Sequence, residues 1–146
     1  DTTESRGLGD VYKRQAISAI VTNNKGEFLI GRRKNTMNNY PGYYELAGSG
    51  NLTCNNNPEM QLIAELNEEC DLKIENLKSI KFIGLSVDHQ ENIIDLCYKV
   101  TAVNCDIPNV TDEYEELNFI SKASLKNFVK SKNFVPSSLL LLSFYI

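Results

Sequence analysis

The sequence has no tryptophan, a single histidine (His89), and no C-x-x-C pair among its four cysteines, Cys54, Cys70, Cys97 and Cys105. A zinc site built from Cys and His therefore has little to stand on, and reduced thiols in a cytoplasm are the expected state. Basic residues are outnumbered: 15 Lys and Arg face 19 Asp and Glu, for a formal net charge of −4. A nucleic-acid polymer needs a clustered Lys and Arg surface to neutralise its phosphates, so that partner is not expected. No apolar run approaches the roughly 20 residues of a membrane span, and no early stretch has the form of a signal peptide, so no membrane partner is expected. The late leucine cluster at 139–142 should instead pack a terminal helix on the core. No internal repeat or low-complexity tract breaks the chain. What remains is 146 residues, 42% hydrophobic and 23% charged, enough for one soluble domain with a real core. A monomer and a homodimer are both open.

Residues 1–14 have neither helical nor strand period, and the run 5–15 resembles translated sequencing-adapter readthrough. They are expected to be a non-native or disordered leader, with the folded domain occupying 15–146. From Ala16 the pattern is regular. Residues 16–22 read as a strand, 23–26 as a turn ending in Gly26, and 27–31 as the returning strand of a hairpin. A turn-rich loop and a short strand lead to the glycine-bearing stretch 48–50. Strands follow at 77–87 and 93–103, separated by a turn containing His89, whose place suits a surface residue better than a catalytic base. Ser121 can cap a short helix to about Lys130, and Pro136 opens a last one. This order predicts an α+β layered domain with a mixed sheet.

The chemistry concentrates between these halves. At about 100° per residue, Glu65, Glu68 and Glu69 fall on one helix face, with Ile63, Leu66 and Cys70 on the other and Met60 near them. Asn57 suits the N-cap and Pro58 the first helical position, where a missing N–H costs nothing. Glu65 and Glu69, four apart, repel by about 0.2–0.5 kcal/mol unless something offsets them. Such a face is either solvated or held by a cation. Mg²⁺ takes oxygen ligands, keeps several waters and bridges carboxylates to phosphate oxygens, which suits this cluster beside a loop.

Gly50, Glu65, Leu66, Glu68, Glu69 and Leu72 together resemble the Nudix box, G-x5-E-x7-R-E-U-x-E-E-x-G-U with U aliphatic, the signature of the Nudix hydrolase family. Asn56 stands where the pattern has its loop Glu, Ala64 where it has Arg, and Asp71 where it has Gly; the loop carries a one-residue insertion around Ser49. Losing the loop Glu and the Arg together leaves no unpaired charge. Asp visits the left-handed conformation more readily than most residues. The preceding Tyr44-Glu45-Leu46-Ala47-Gly48 is similar to the family's W-E-L-P-G-G, and 112–120 to its E-x-x-E-x-x-W-F segment.

The resemblance implies an α/β/α sandwich and a Mg²⁺- or Mn²⁺-dependent hydrolase that cleaves the pyrophosphate bond of a small nucleoside diphosphate linked to another group. It implies catalytic roles for Glu65, Glu68 and Glu69, which with the backbone of Gly50 would hold metal. Arg32 and Arg33 stand where family members place basic residues near substrate, and Tyr40 and Tyr43 are candidates to stack on a base; the plainer readings are solvated arginines and packed tyrosines. Thr53 and Asn56 replace acidic positions, so metal binding should be weaker or fewer metals bound. Glu91 and Asp95 are alternatives for a general base, as are Glu113 and Glu116 if they are more than a solvated acidic turn. The rival function is a catalytically impaired nucleotide-binding module on the same fold. A prenyl diphosphate isomerase would need a catalytic Cys motif that is not evident.

Overall fold

A computed structural model describes residues 14–53 and 57–146. Seven strands form one mixed sheet: β1 (Arg14–Thr22), β2 (Phe28–Arg33), β3 (Tyr44–Leu46), β4 (Ser49–Asn51), β5 (Leu77–Asp88), β6 (Ile93–Ala102) and β7 (Tyr114–Ile120). The helices are α1 (Pro58–Cys70), α2 (Lys122–Ser131) and α3 (Pro136–Leu142). The main path runs β3-β2-β1-β6-β5, with β4 also on β1 and β7 also on β2. β1 and β6 are parallel and the other pairs antiparallel.

Alternation along β1 divides the interior into two cores. Ile17, Ala19 and Val21 pack with Leu62, Leu66 and Cys70 of α1, whereas Ile20 packs with Leu125 of α2 and Leu141 and Leu142 of α3. The result is the α/β/α sandwich that the motif implies. Ser138 Oγ accepts a hydrogen bond from the Leu46 N–H at 2.9 Å and ties α3 to β3.

Several local expectations meet their physical limits here. The Asn23 turn forms, its side-chain oxygen accepting from the N–H groups of Lys25 and Glu27, but β1 and β2 pair only at Thr22 and Phe28. Beyond that point β1 gives one edge to β4 and the other to β6, while β2 lies between β3 and β7. The hairpin therefore opens into a split sheet. In α1 the buried stripe is Leu62, Leu66 and Cys70, spaced four apart; Ile63 is half-buried and Met60 is exposed. β5 is an edge strand, so its Phe82, Leu85 and Val87 stay exposed. Of the leader expected at 1–14, residues 1–13 lie outside the described residues, whereas Arg14 begins β1 and donates its N–H to the Asn92 carbonyl at 2.8 Å. Asn56 and Cys54 also lie outside them.

Both ends of α1 are fixed by the residues the sequence offers. Asn57 accepts from the N–H groups of Glu59 and Met60 at 2.9 and 3.2 Å. Asp71 ends the helix at φ 56°, and the Leu72 N–H closes back on the Leu66 carbonyl at 3.1 Å.

Gly48 carries a φ of +92°, and a Cβ there would lie 2.5 Å from Leu66 Cδ2; Gly26, at φ +75°, has nothing within 4 Å of that position. Gly48→Ala should thus combine backbone strain with overpacking and cost about 2–4 kcal/mol, against roughly 1 kcal/mol for Gly26→Ala. Urea denaturation of the two variants measures the difference; equal midpoints would remove Leu66 contact as a constraint on the loop.

Candidate functional site

The site begins with a missing side chain. β4 places Gly50 beside Ile17 of β1, and a Cβ on Gly50 would fall 2.9 Å from the carboxyl carbon of Glu65 and 3.0 and 3.1 Å from its oxygens. The Glu65 carboxylate occupies that space, so α1 presses an acidic group directly against loop backbone. Gln61, one turn earlier, ties the same loop: its side-chain N–H donates to the Asn51 carbonyl at 2.7 Å, and its oxygen accepts from the N–H and hydroxyl of Thr53 at 3.3 and 3.2 Å.

Glu69 lies one turn after Glu65 and hydrogen-bonds to it. Burial above all, then Glu65, then the charges of Glu113 and Glu45 hold its carboxyl well above the usual carboxylate range. Glu45 is itself buried, 6% exposed, on β3. It accepts from the Tyr114 hydroxyl at 2.8 Å and pairs with the Arg33 guanidinium at 3.3 Å; burial raises its carboxyl while those two partners oppose the rise. Four carboxyl groups, Glu45, Glu65, Glu69 and Glu113, thus influence one another beside a single ion-paired arginine.

A cleft of about 300 Å³ opens beside Glu45 and Glu113, while Glu65 and Glu69 lie behind Gly50 and are not among its lining residues. Gly50, Arg33, Glu45 and Glu113 line one part of it, and Ser18 and Asp95 another. Ser18 Oγ donates to Asp95 Oδ2 at 2.7 Å, and burial raises the Asp95 carboxyl against that bond. Among the described residues, Asp95 Oδ1 is the buried side-chain oxygen without a hydrogen-bond partner, a situation costing about 1–3 kcal/mol.

The residues singled out in the sequence divide accordingly. Glu65 and Glu69 meet, whereas Glu68 stands exposed on α1. Arg33 lines the cleft. Its neighbour Arg32 points to the other side of the strand, paired at 2.8 Å with Glu116, which also accepts from the Tyr44 hydroxyl at 3.3 Å. Tyr40 and Tyr43 pack on each other with ring centroids 5.3 Å apart, and neither is among the residues that line the cleft. Of the candidate bases, Glu113 and Asp95 line it, while His89 and Glu91 are exposed in the β5–β6 turn. Sequence reasoning missed Glu45, Tyr114 and Ser18. A three-residue strand is too short to display the alternation that buries Glu45, and only the Glu-Leu pair before the glycines hinted at it.

The donor set suits a hard cation. Among the described residues no three Asp, Glu, His or Cys side chains are grouped to hold a metal ion. Mg²⁺ does not require such a cage: one or two carboxylates suffice when waters and substrate phosphates complete the octahedron. The Glu65–Glu69 pair, all oxygen and short of positive charge, fits that mode.

The raised Glu69 carboxyl has a sign consequence. Its folded pKa lies above the unfolded value of about 4.3, so the folded state keeps a proton that the unfolded state has released, and metal-free stability falls as pH climbs upward from there. Glu69→Gln removes that titration while keeping the shape. Thermal melts with chelator between about pH 5 and pH 9 should show a higher and flatter profile for the variant. Parallel profiles for the two proteins would disprove the buried like-charge pair.

No protein-family model and no curated protein matches the sequence. Solved structures do. A MutT protein from Methanosarcina mazei Go1 superposes with a TM-score of 0.67 at 19% identity, over 88% of each chain. The NUDIX domain of NrtR from Shewanella oneidensis, solved as a complex with ADP ribose, gives 0.72 at 12% identity over 98% of this chain and 90% of its own. A NUDIX-family hydrolase from Clostridium perfringens gives 0.66 at 18% identity over 90% and 94%. Identities this low speak to architecture, and with the split sheet, the glycine loop and the acidic α1 already in place they establish that this chain has the Nudix fold.

Proposed function

We propose that the protein is a Mg²⁺- or Mn²⁺-dependent pyrophosphohydrolase acting on a small nucleoside diphosphate linked to another group. The observation that carries this reading is the Glu65–Glu69 pair, pressed against Gly50 and flanked by Glu45 and Glu113. A binding module has no need of so repulsive a cluster, and a divalent cation turns its cost into affinity. The ADP ribose bound to the NrtR domain supports a nucleotide-type ligand for a cleft of this architecture.

In the proposed site Glu65 and Glu69 would hold the cation beside the Gly50 backbone, where no side chain intervenes, and Glu68, exposed on the same helix, is the third carboxylate that the resemblance adds. When bound, the metal supplies polarisation of a phosphoryl oxygen and a lowered pKa for the attacking water. Arg33, oriented by its pairing with Glu45, directs positive charge into the cleft toward the diphosphate. Glu113 lines the same wall and is the carboxylate that takes the proton from water. The free thiols of Cys70, Cys97 and Cys105 suit a reducing, cytoplasmic setting.

The test is phosphate release, with a coupling phosphatase where needed, from nucleotide sugars, ADP-ribose, dinucleotides and nucleoside triphosphates in Mg²⁺ or Mn²⁺. Turnover should require metal, and Glu65→Gln and Glu69→Gln should each lower kcat by roughly 100-fold or more. Glu68→Gln should also abolish turnover yet leave the melting temperature unchanged, since that side chain is exposed. Silence across the panel, with nucleotide still binding in calorimetry, would assign the fold to a binding role instead.

A further inference from the structure

The part of the cleft around Asp95 is not used by the proposed hydrolysis. Asp95 sits on β6 beside Ala16 of β1, on the sheet face toward α2 and α3, where Ser18 Oγ fixes its Oδ2. Its Oδ1 has no partner among the described residues. An ionised carboxylate accepts through both oxygens, and buried acceptors are nearly always satisfied, so an orphan on the wall of a cleft points to a donor that arrives with a ligand.

The sheet sets the distance. β4, β1 and β6 are successive neighbours, which puts the Gly50 strand and the Asp95 strand two spacings apart, about 9.5 Å. A ligand long enough to span that distance can meet Gly50, Arg33 and Asp95 together, since all three line one cleft. The chemistry there favours a donor over a second phosphate. Ser86, Asp88 and Ser137 line that part of the cleft with Asp95, and Arg33, the one basic side chain among the described lining residues, is already paired with Glu45.

We propose that Asp95, positioned by Ser18, is a specificity-determining residue that accepts a hydrogen bond from the nucleoside attached to the diphosphate, through the exocyclic base amine or the ribose 2′-hydroxyl. The assignment deepens the hydrolase reading and rests on it for the diphosphate, while the hydrogen bond itself is testable without turnover.

Calorimetric titration with AMP, IMP and 2′-deoxy-AMP separates the two donor sources. If the base amine is read, the protein binds AMP about tenfold more tightly than IMP; if the ribose hydroxyl is read, about tenfold more tightly than 2′-deoxy-AMP. In Asp95→Asn, which keeps the shape and the Ser18 bond but puts an amide in place of the acceptor, that preference should vanish, with AMP losing affinity and the poorer ligand losing little. Ser18→Ala frees the carboxylate and should narrow the preference, and it reads the same effect should Asp95→Asn fail to fold. Equal affinity for all three nucleotides, an unchanged ranking in the variants, or no binding of any nucleotide overturns the proposal. Discrimination in a protein that hydrolyses nothing would retain Asp95 and reject the hydrolase reading, so the two ideas fail separately.

Discussion

The absent side chain at Gly50 is the constraint on which the site depends. Because the Glu65 carboxylate stands where a Cβ would be, α1 can press against β4, and Glu69 follows into the buried neighbourhood of Glu113 and Glu45. Neutral packing would be the stable outcome at such a contact. Here carboxyl groups are brought together in a poorly solvated place, and only two states relieve them: a shared proton or a bound cation. The capping of α1 at Asn57 and Asp71 and its buried Leu62, Leu66 and Cys70 hold the helix against that repulsion, so that the strain is confined to the acidic side.

The supporting shell solves the same problem with few charges. The motif this chain resembles braces its loop with a Glu–Arg ion pair, and both members are replaced here, by Asn56 and Ala64. Gln61 supplies a neutral brace, reaching Asn51 and Thr53 through both ends of its amide. An amide has donor and acceptor in one side chain and requires no desolvation of an ion, so the loop is held without adding another charge to an acidic site. Nearby, Tyr114 and Arg33 satisfy both oxygens of Glu45, which lets that residue be buried and still orient the arginine.

Much of this was legible in the sequence because it is local. Asn57, Pro58 and Asp71 announce the helix ends through their own capping and left-handed preferences, and Ser121 does the same for α2. The spacing of Glu65 and Glu69 gave the pair. What escaped was set by tertiary pairing. Nothing within 14–33 indicates that β1 will leave β2 after one register pair to join β4 and β6, and without that split there is no cleft to which Ser18 and Asp95 belong. Arg32 and Arg33 are adjacent and look equivalent, but alternation sends one to Glu116 and the other to the cleft. Leu62 outranks Met60 and Ile63 in the core because the helix meets the sheet along a stripe of period four, which a hydrophobic count cannot orient.

The split also determines how metal and substrate would depend on each other in the proposed enzyme. Asp95 lies on the sheet face toward α2 and α3, and Gly50, against which the Glu65 carboxylate presses from α1, lines the same cleft as Asp95. A closed protein cage on one face would bind its cation regardless of substrate. Two carboxylates would leave most of a Mg²⁺ ion's positions to water and to phosphate oxygens of the substrate. A ligand whose far end is also recognised near Asp95 arrives with its diphosphate already aligned, and the orientation is fixed by groups separated by two strands of a rigid sheet. In the proposed enzyme, cation binding and substrate recognition would both depend on the split sheet.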